Sequence, residues 1–146
     1  MKHTDPPIVV SQDFPLPVER VWRAITDRDE MIQWFFEEIP AFAARAGFTT
    51  GFDVVAESRT FPHVWKIVEA EAPRRLVVDW SYEGLAGRGL VAWDLAETDG
   101  GCRLTLTNRV IEDFAPGIPE FTTTACRGGW EYFLNGRLRA YLKANP

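Results

Sequence analysis

The sequence predicts an α+β fold: a curved antiparallel sheet of six to seven strands wrapped around a long C-terminal helix, with two short helices after the first strand. Three observations predict it. Between residues 52 and 110 the apolar residues recur at every second position, interrupted by turn residues at short intervals. Between residues 130 and 142 they recur at spacings of three and four. The 146 residues contain no linker, repeat or low-complexity tract, so a single domain over residues 1–146 is expected.

The elements follow in order. Residues 8–14 read as a first strand, ended by Pro15 and Pro17. Pro17 also suits the start of a helix, where its missing N–H costs nothing, and Val18, Val21, Trp22 and Ile25 then recur at helical spacing. Asp27 is placed to cap a second short helix whose apolar residues are Met31, Ile32 and Trp34-Phe35-Phe36. Strands are expected at residues 52–57, 64–70, 76–83, 90–97 and 102–110. In the third of these Leu76, Val78, Trp80 and Tyr82 face one way, and Val77, Asp79, Ser81 and Glu83 the other. Gly84, Gly87 and Gly89 mark the turn after it, and Asp99-Gly100-Gly101 is a hairpin signal. A loop over residues 112–119 precedes the last helix. Its apolar face is Trp130, Phe133, Leu134, Leu138, Tyr141 and Leu142, and Gly128 and Gly129 lie in or just before its first half.

Charge and cysteine usage exclude several functions. Sixteen Lys and Arg against twenty-one Asp and Glu give a net charge of −5, and nucleic-acid binding needs a basic face instead. No apolar run approaches the ~18 residues of a membrane span, and the first residues have no signal-peptide character. A cytoplasmic protein without membrane association is expected. Cys102 and Cys126 stand far apart and in no CxxC pattern, which reads as two free thiols. Two Cys and two His without ligand spacing leave no metal site in view, and no cofactor is expected.

The aromatic content is the unusual feature: 13%, with six Trp and ten Phe. One helix is narrower than six strands, so a gap between them is available, and aromatic rings line such a gap without filling it. Candidate ligand-contacting residues on the strands are Phe52, Val54, Trp65, Trp80, Tyr82, Trp93 and Leu106; on the last helix they are Trp130, Phe133 and Leu134. Trp34, with Phe35 and Phe36, is a candidate gate over the cavity mouth, whereas Trp22 reads as core. Trp80 and Trp130 fall on the two elements that face each other, so their rings are expected to line the same enclosed space. His63 is the one candidate acid–base group. Such a role needs a carboxylate within reach, with Glu57, Glu83 and Asp94 available. Ordinary packing is the simpler account of it. No serine stands in a Gly-x-Ser-x-Gly setting. A homodimer is compatible with exposed aromatics, although no seam is visible.

Two long segments also carry a resemblance: Phe14-Pro15-Leu16-Pro17-Val18-Glu19-Arg20-Val21-Trp22-Arg23-Ala24-Ile25-Thr26-Asp27 and Ile67-Val68-Glu69-Ala70-Glu71-Ala72-Pro73-Arg74-Arg75-Leu76-Val77-Val78-Asp79-Trp80. Gly101-Cys102-Arg103-Leu104-Thr105-Leu106-Thr107 and a helix opening Gly129-Trp130 and ending Leu138-Arg139-Ala140-Tyr141-Leu142 agree with them. Together they resemble the START-like, or birch-pollen-allergen-like (SRPBCC), superfamily, and within it the family named after the activator of the heat-shock-chaperone ATPase. The resemblance implies a helix-grip fold with a hydrophobic cavity, and hence a small hydrophobic or amphipathic ligand. It also implies two alternatives: a chaperone-activator-like interaction protein, and a cyclase- or hydrolase-like enzyme using the same cavity. Thr49-Thr50-Gly51-Phe52 replaces the family's usual glycine pair. The additional N-terminal domain of the eukaryotic co-chaperone has no room in this chain. Ligand binding is therefore the expectation, ahead of catalysis and of a chaperone partner.

Overall fold

The computed structural model describes residues 1–146. The elements are β1 (Ile8–Phe14), α1 (Val18–Thr26), α2 (Arg28–Trp34), β2 (Thr49–Ala56), β3 (Arg59–Glu71), β4 (Arg75–Tyr82), β5 (Leu85–Thr98) and β6 (Gly101–Glu112). A 3-10 turn (Pro119–Phe121) then leads into the C-terminal helix, which runs without a break through α3 (Thr123–Glu131), a π-helical segment (Tyr132–Leu138) and α4 (Arg139–Ala144). The six strands form one antiparallel sheet in the order β1-β6-β5-β4-β3-β2. β1 and β2 are its two edges, so α1 and α2 carry the chain from one edge to the other. The α+β helix-grip architecture is the one the sequence predicts, with six strands and no seventh.

The period-two pattern sets the inner face. Trp65 and Ile67 on β3, Leu76, Val78 and Trp80 on β4, Val91, Trp93 and Leu95 on β5, and Leu104 and Leu106 on β6 are all buried in one core. Trp130, Leu134, Leu138 and Leu142 of the last helix close over them. These four are spaced by four residues, whereas an α-helix repeats every 3.6, so a strict four-residue stripe drifts by about 40° per step. The wider turns of the π segment, with their i→i+5 hydrogen bonding, take up that drift and keep Leu134 and Leu138 on the sheet.

Local chemistry explains the ends of the helices. Asp27 caps α2 by accepting from the Asp29 N–H at 3.2 Å, and Thr122 caps α3 by accepting from the Ala125 N–H at 3.2 Å. The last helix therefore begins at Thr123, and Gly128 and Gly129 lie inside it. The indole N–H of Trp34 donates to the Ala24 carbonyl at 2.8 Å, satisfying an orphan acceptor in the last turn of α1. Glu30 accepts from Arg20 at 2.7 Å, Arg23 at 2.9 Å and Tyr141 at 2.8 Å, tying α1, α2 and α4 together. Burial works to raise the Glu30 carboxyl, but those three donors outweigh it and hold the group below the usual carboxylate range.

Two sequence expectations are corrected. α2 stops at Trp34, because Phe35 leaves helical geometry at φ −105°, ψ −125°; Phe35 and Phe36 therefore project from an irregular segment rather than a helix face. Gly84 makes the β4–β5 turn at φ +78°, but Gly87 and Gly89 lie within β5, beside a register shift between Arg88 and Gly89. Gly87 sits at φ +124°, and a Cβ there would fall 2.2 Å from Cδ1 of Phe114. The glycine is required by a close approach, not by a turn. No helix is long and apolar enough to cross a membrane.

Candidate functional site

A partly open cavity of about 180 Å³ lies between the inner face of the sheet and the first half of the C-terminal helix. Twelve of its sixteen lining residues are hydrophobic. Trp80 and Tyr82 of β4 and Val91 of β5 form its floor, and Phe35 and Phe36 form a side wall. The helix contributes Ala125, Cys126, Gly129, Trp130 and Phe133. Three of these five are small, and that leaves the space open: the helix closes on the sheet with Trp130 but stands off where Ala125 and Gly129 face it.

The Trp80 and Trp130 rings meet edge to face, with centroids 5.4 Å apart, and both line this cavity. Of the other residues singled out from sequence, Tyr82 and Phe133 join them. Trp34, Phe52, Val54, Trp65, Trp93, Leu106 and Leu134 do not line it. Trp34, Leu106 and Leu134 are fully buried core, and Trp93 packs edge-on against Trp34 and Trp130. Trp65 stacks on Phe35 at 5.7 Å, and Phe52 stacks on His63 at 5.0 Å. Val54 sits half-buried at the core margin on the edge strand β2. The physical reason is that Phe35 inserts between helix and sheet, 4.9 Å from Trp34 and 4.8 Å from Phe133, and fills the α2 side of the grip. Trp34 is thus an anchor, and the aromatic pair after it is a wall.

Sequence reasoning missed the far end. There Phe114 and Phe121, in a small cluster with Phe61 and Val110, close the cavity together with Met1. The Met1 ammonium donates to the Phe121 carbonyl at 2.9 Å, and the Phe114 N–H donates to the Met1 carbonyl at 2.9 Å. Phe114 reaches this position only because Gly87 has no side chain. Asn108, the one polar residue in the inward alternation of β6, also lines the cavity. Its amide donates to the Cys126 sulfur at 3.3 Å. Burial pushes the Cys126 thiol up to about 11, so it is neutral at physiological pH. The indole N–H of Trp80 donates to the Tyr82 hydroxyl at 3.0 Å, and burial holds that phenol protonated. Glu120 stands at the mouth. Its Oε1 is buried without a hydrogen bond, and the nearest cation, Nε of Arg59, is 3.9 Å away.

His63 faces inward with Trp65 and Ile67, as the alternation predicts, but its surroundings are aromatic: Phe36, Phe52, Trp80 and Tyr82. Its Nδ1 donates to the Phe61 carbonyl at 2.9 Å, and no carboxylate hydrogen-bonds the ring. Asp94, one of the partners considered, is held by Arg75 at 2.7 Å. The acid–base pairing is therefore not formed. Burial lowers the His63 pKa from 6.5 to about 4. Above pH 6.5 the ring is neutral in both folded and unfolded chains. As pH falls from 6.5 towards 4 only the unfolded chain takes up the proton, so stability is lost across that window, by roughly 3 kcal/mol in all. Urea melts between pH 4 and 7 are expected to show this slope in the wild type. They should show a shallower one in His63→Asn, which keeps a donor for Phe61.

Known proteins share this architecture. DynU16, a protein in the dynemicin biosynthetic locus, is 28% identical with a TM-score of 0.76 over 97% of this chain; this chain spans about half (48%) of its length. CalU16 from Micromonospora echinospora is 26% identical with a TM-score of 0.66, covering 96% of this chain and 76% of its own. CV1439 from Chromobacterium violaceum shares the fold at 23% identity, with a TM-score of 0.76 over 92% of this chain and 94% of its own. No curated protein matches the sequence. Residues 15–143, from the proline that ends β1 to the last turn of α4, match one family throughout. The chain therefore belongs to the Activator of Hsp90 ATPase homolog 1-like protein family, of SRPBCC type.

Proposed function

We propose that the protein binds a small apolar or amphipathic molecule in the aromatic cavity. The observation that carries this reading is the apolar space itself: about 180 Å³ walled by the facing rings of Trp80 and Trp130. A dry apolar cavity of about 150 Å³ holds benzene, so this one suits a single ring with short substituents. Apolar burial supplies the affinity, at about 25 cal/mol per Å² before association costs. Tyr82, Asn108 and Glu120 set orientation. The fold family supports a ligand-binding role, and DynU16, from a biosynthetic locus, supports a small organic ligand.

Two of the six indoles stand in the wall, so intrinsic fluorescence reports occupancy. Titration with toluene, phenol and indole is expected to give saturable changes that Trp130→Phe diminishes. A flat response to all three up to millimolar concentration would overturn the reading.

A further inference from the structure

We infer that the occupant carries a protonated amine on an apolar or aromatic body, with Glu120 as its counter-ion; this rests on the cavity-binding reading above. The cavity lining contains no Lys, Arg or His side chain, and its one acidic side chain is Glu120. Tyr82 and Cys126 are neutral there. One carboxylate oxygen of Glu120 is buried with no hydrogen bond. A buried acceptor left unpaired is costly, and native proteins rarely keep one without a reason. Arg59, at 3.9 Å, lies beyond hydrogen-bond range of that oxygen, and the Met1 ammonium is engaged with the Phe121 carbonyl.

The remaining polar groups point the same way. The Asn108 N–H₂ is directed at Cys126, which leaves its Oδ1 as a second free acceptor. Tyr82 accepts from Trp80, so its own proton is the one side-chain hydroxyl donor in the lining. The walls are π faces, whose negative quadrupole attracts a cation. An acceptor-rich aromatic space with a single carboxylate complements an ammonium. An anionic head group would meet Glu120, and the one cation of the lining residues, the Met1 ammonium, is already engaged with the Phe121 carbonyl.

An isosteric series separates these possibilities. Benzylamine, benzyl alcohol and benzoate have nearly the same size, and only the first is cationic at pH 7. Benzylamine is expected to bind at least about tenfold more tightly than the alcohol, the worth of one hydrogen bond to a charged group. Benzoate is expected to bind most weakly. Glu120→Gln should erase the preference for the amine over the alcohol. Glu120 is half-exposed on a 3-10 turn, and a thermal melt checks that the variant folds. Arg59→Ala, which removes the neighbouring cation from outside the cavity, should strengthen amine binding. Equal affinity for amine and alcohol, a preference that survives in Glu120→Gln, or weaker amine binding in Arg59→Ala overturns the assignment of the amine while leaving the cavity reading intact. Failure of all three compounds to bind overturns both.

Discussion

Trp34→Ala is expected to lower the stability of the fold by about 3–5 kcal/mol, the range for emptying a large aromatic from a closed core. Trp34 has no exposed surface, stacks on Phe35 at 4.9 Å and meets Trp93 edge-on at 6.2 Å. Its N–H also satisfies the Ala24 carbonyl, which the alanine would leave buried and unpaired. Those terms add, because one removes packing and the other a hydrogen bond. A domain of this length loses about 2–4 °C of Tm per kcal/mol, so the melt should move down by roughly 10 °C. Trp22, half-buried on α1 and without a side-chain hydrogen bond, is the control. Trp22→Ala should cost clearly less in a parallel urea melt. Equal losses would mean that Trp34 is not the anchor of the aromatic wall. A second effect follows from the same contact: Phe35 loses its stacking partner, so the cavity wall should loosen and ligand exchange should quicken.

The fold was legible because its two periods are clean. Leu76, Val78, Trp80 and Tyr82 alternate without a break, and Trp130, Leu134, Leu138 and Leu142 mark a helix face. The π segment was not legible, because with Phe133 and Tyr141 included the face fits ordinary three- and four-residue helical spacing. The site was legible in part. Trp80, Tyr82, Trp130 and Phe133 lie on regular elements, where periodicity fixes the direction of a side chain. Phe114, Glu120 and Phe121 lie on a connection that has no period, and only long-range packing against Met1 and Gly87 places them. Asn108 carried a signal, as the one polar residue in the inward alternation of β6, that was not taken as part of a site. Of the seven residues that fell outside the cavity, the five on strands lie away from its end of the sheet, and Trp34 and Leu134 are core residues of the helices. Which end stays open is decided by the size of facing residues, Phe35 on one side and Ala125 and Gly129 on the other, and periodicity carries no information about size matching across elements.

That size matching yields the sharpest separation of binding from stability. Gly129→Leu is expected to abolish ligand binding while leaving the protein as stable as, or more stable than, the wild type. Gly129 lies within α3 and lines the cavity, and a Cβ built on it meets no atom within 4 Å. A leucine there grows into the space the ligand needs. Replacing a helical glycine by leucine also recovers up to about 1 kcal/mol of helix propensity, because glycine's unfolded-state freedom is removed. Gly128 tests the alternative that the helix itself needs flexibility. It lies about 100° further round the helix, is exposed, and does not line the cavity. Gly128→Ala should therefore raise Tm by the same propensity argument and leave binding intact. Fluorescence titration and thermal melts of the two variants decide the matter. If Gly129→Leu still binds a single-ring ligand at wild-type affinity, the cavity beneath it is not the binding site. If Gly128→Ala loses binding as well, helix stiffness rather than cavity volume controls access.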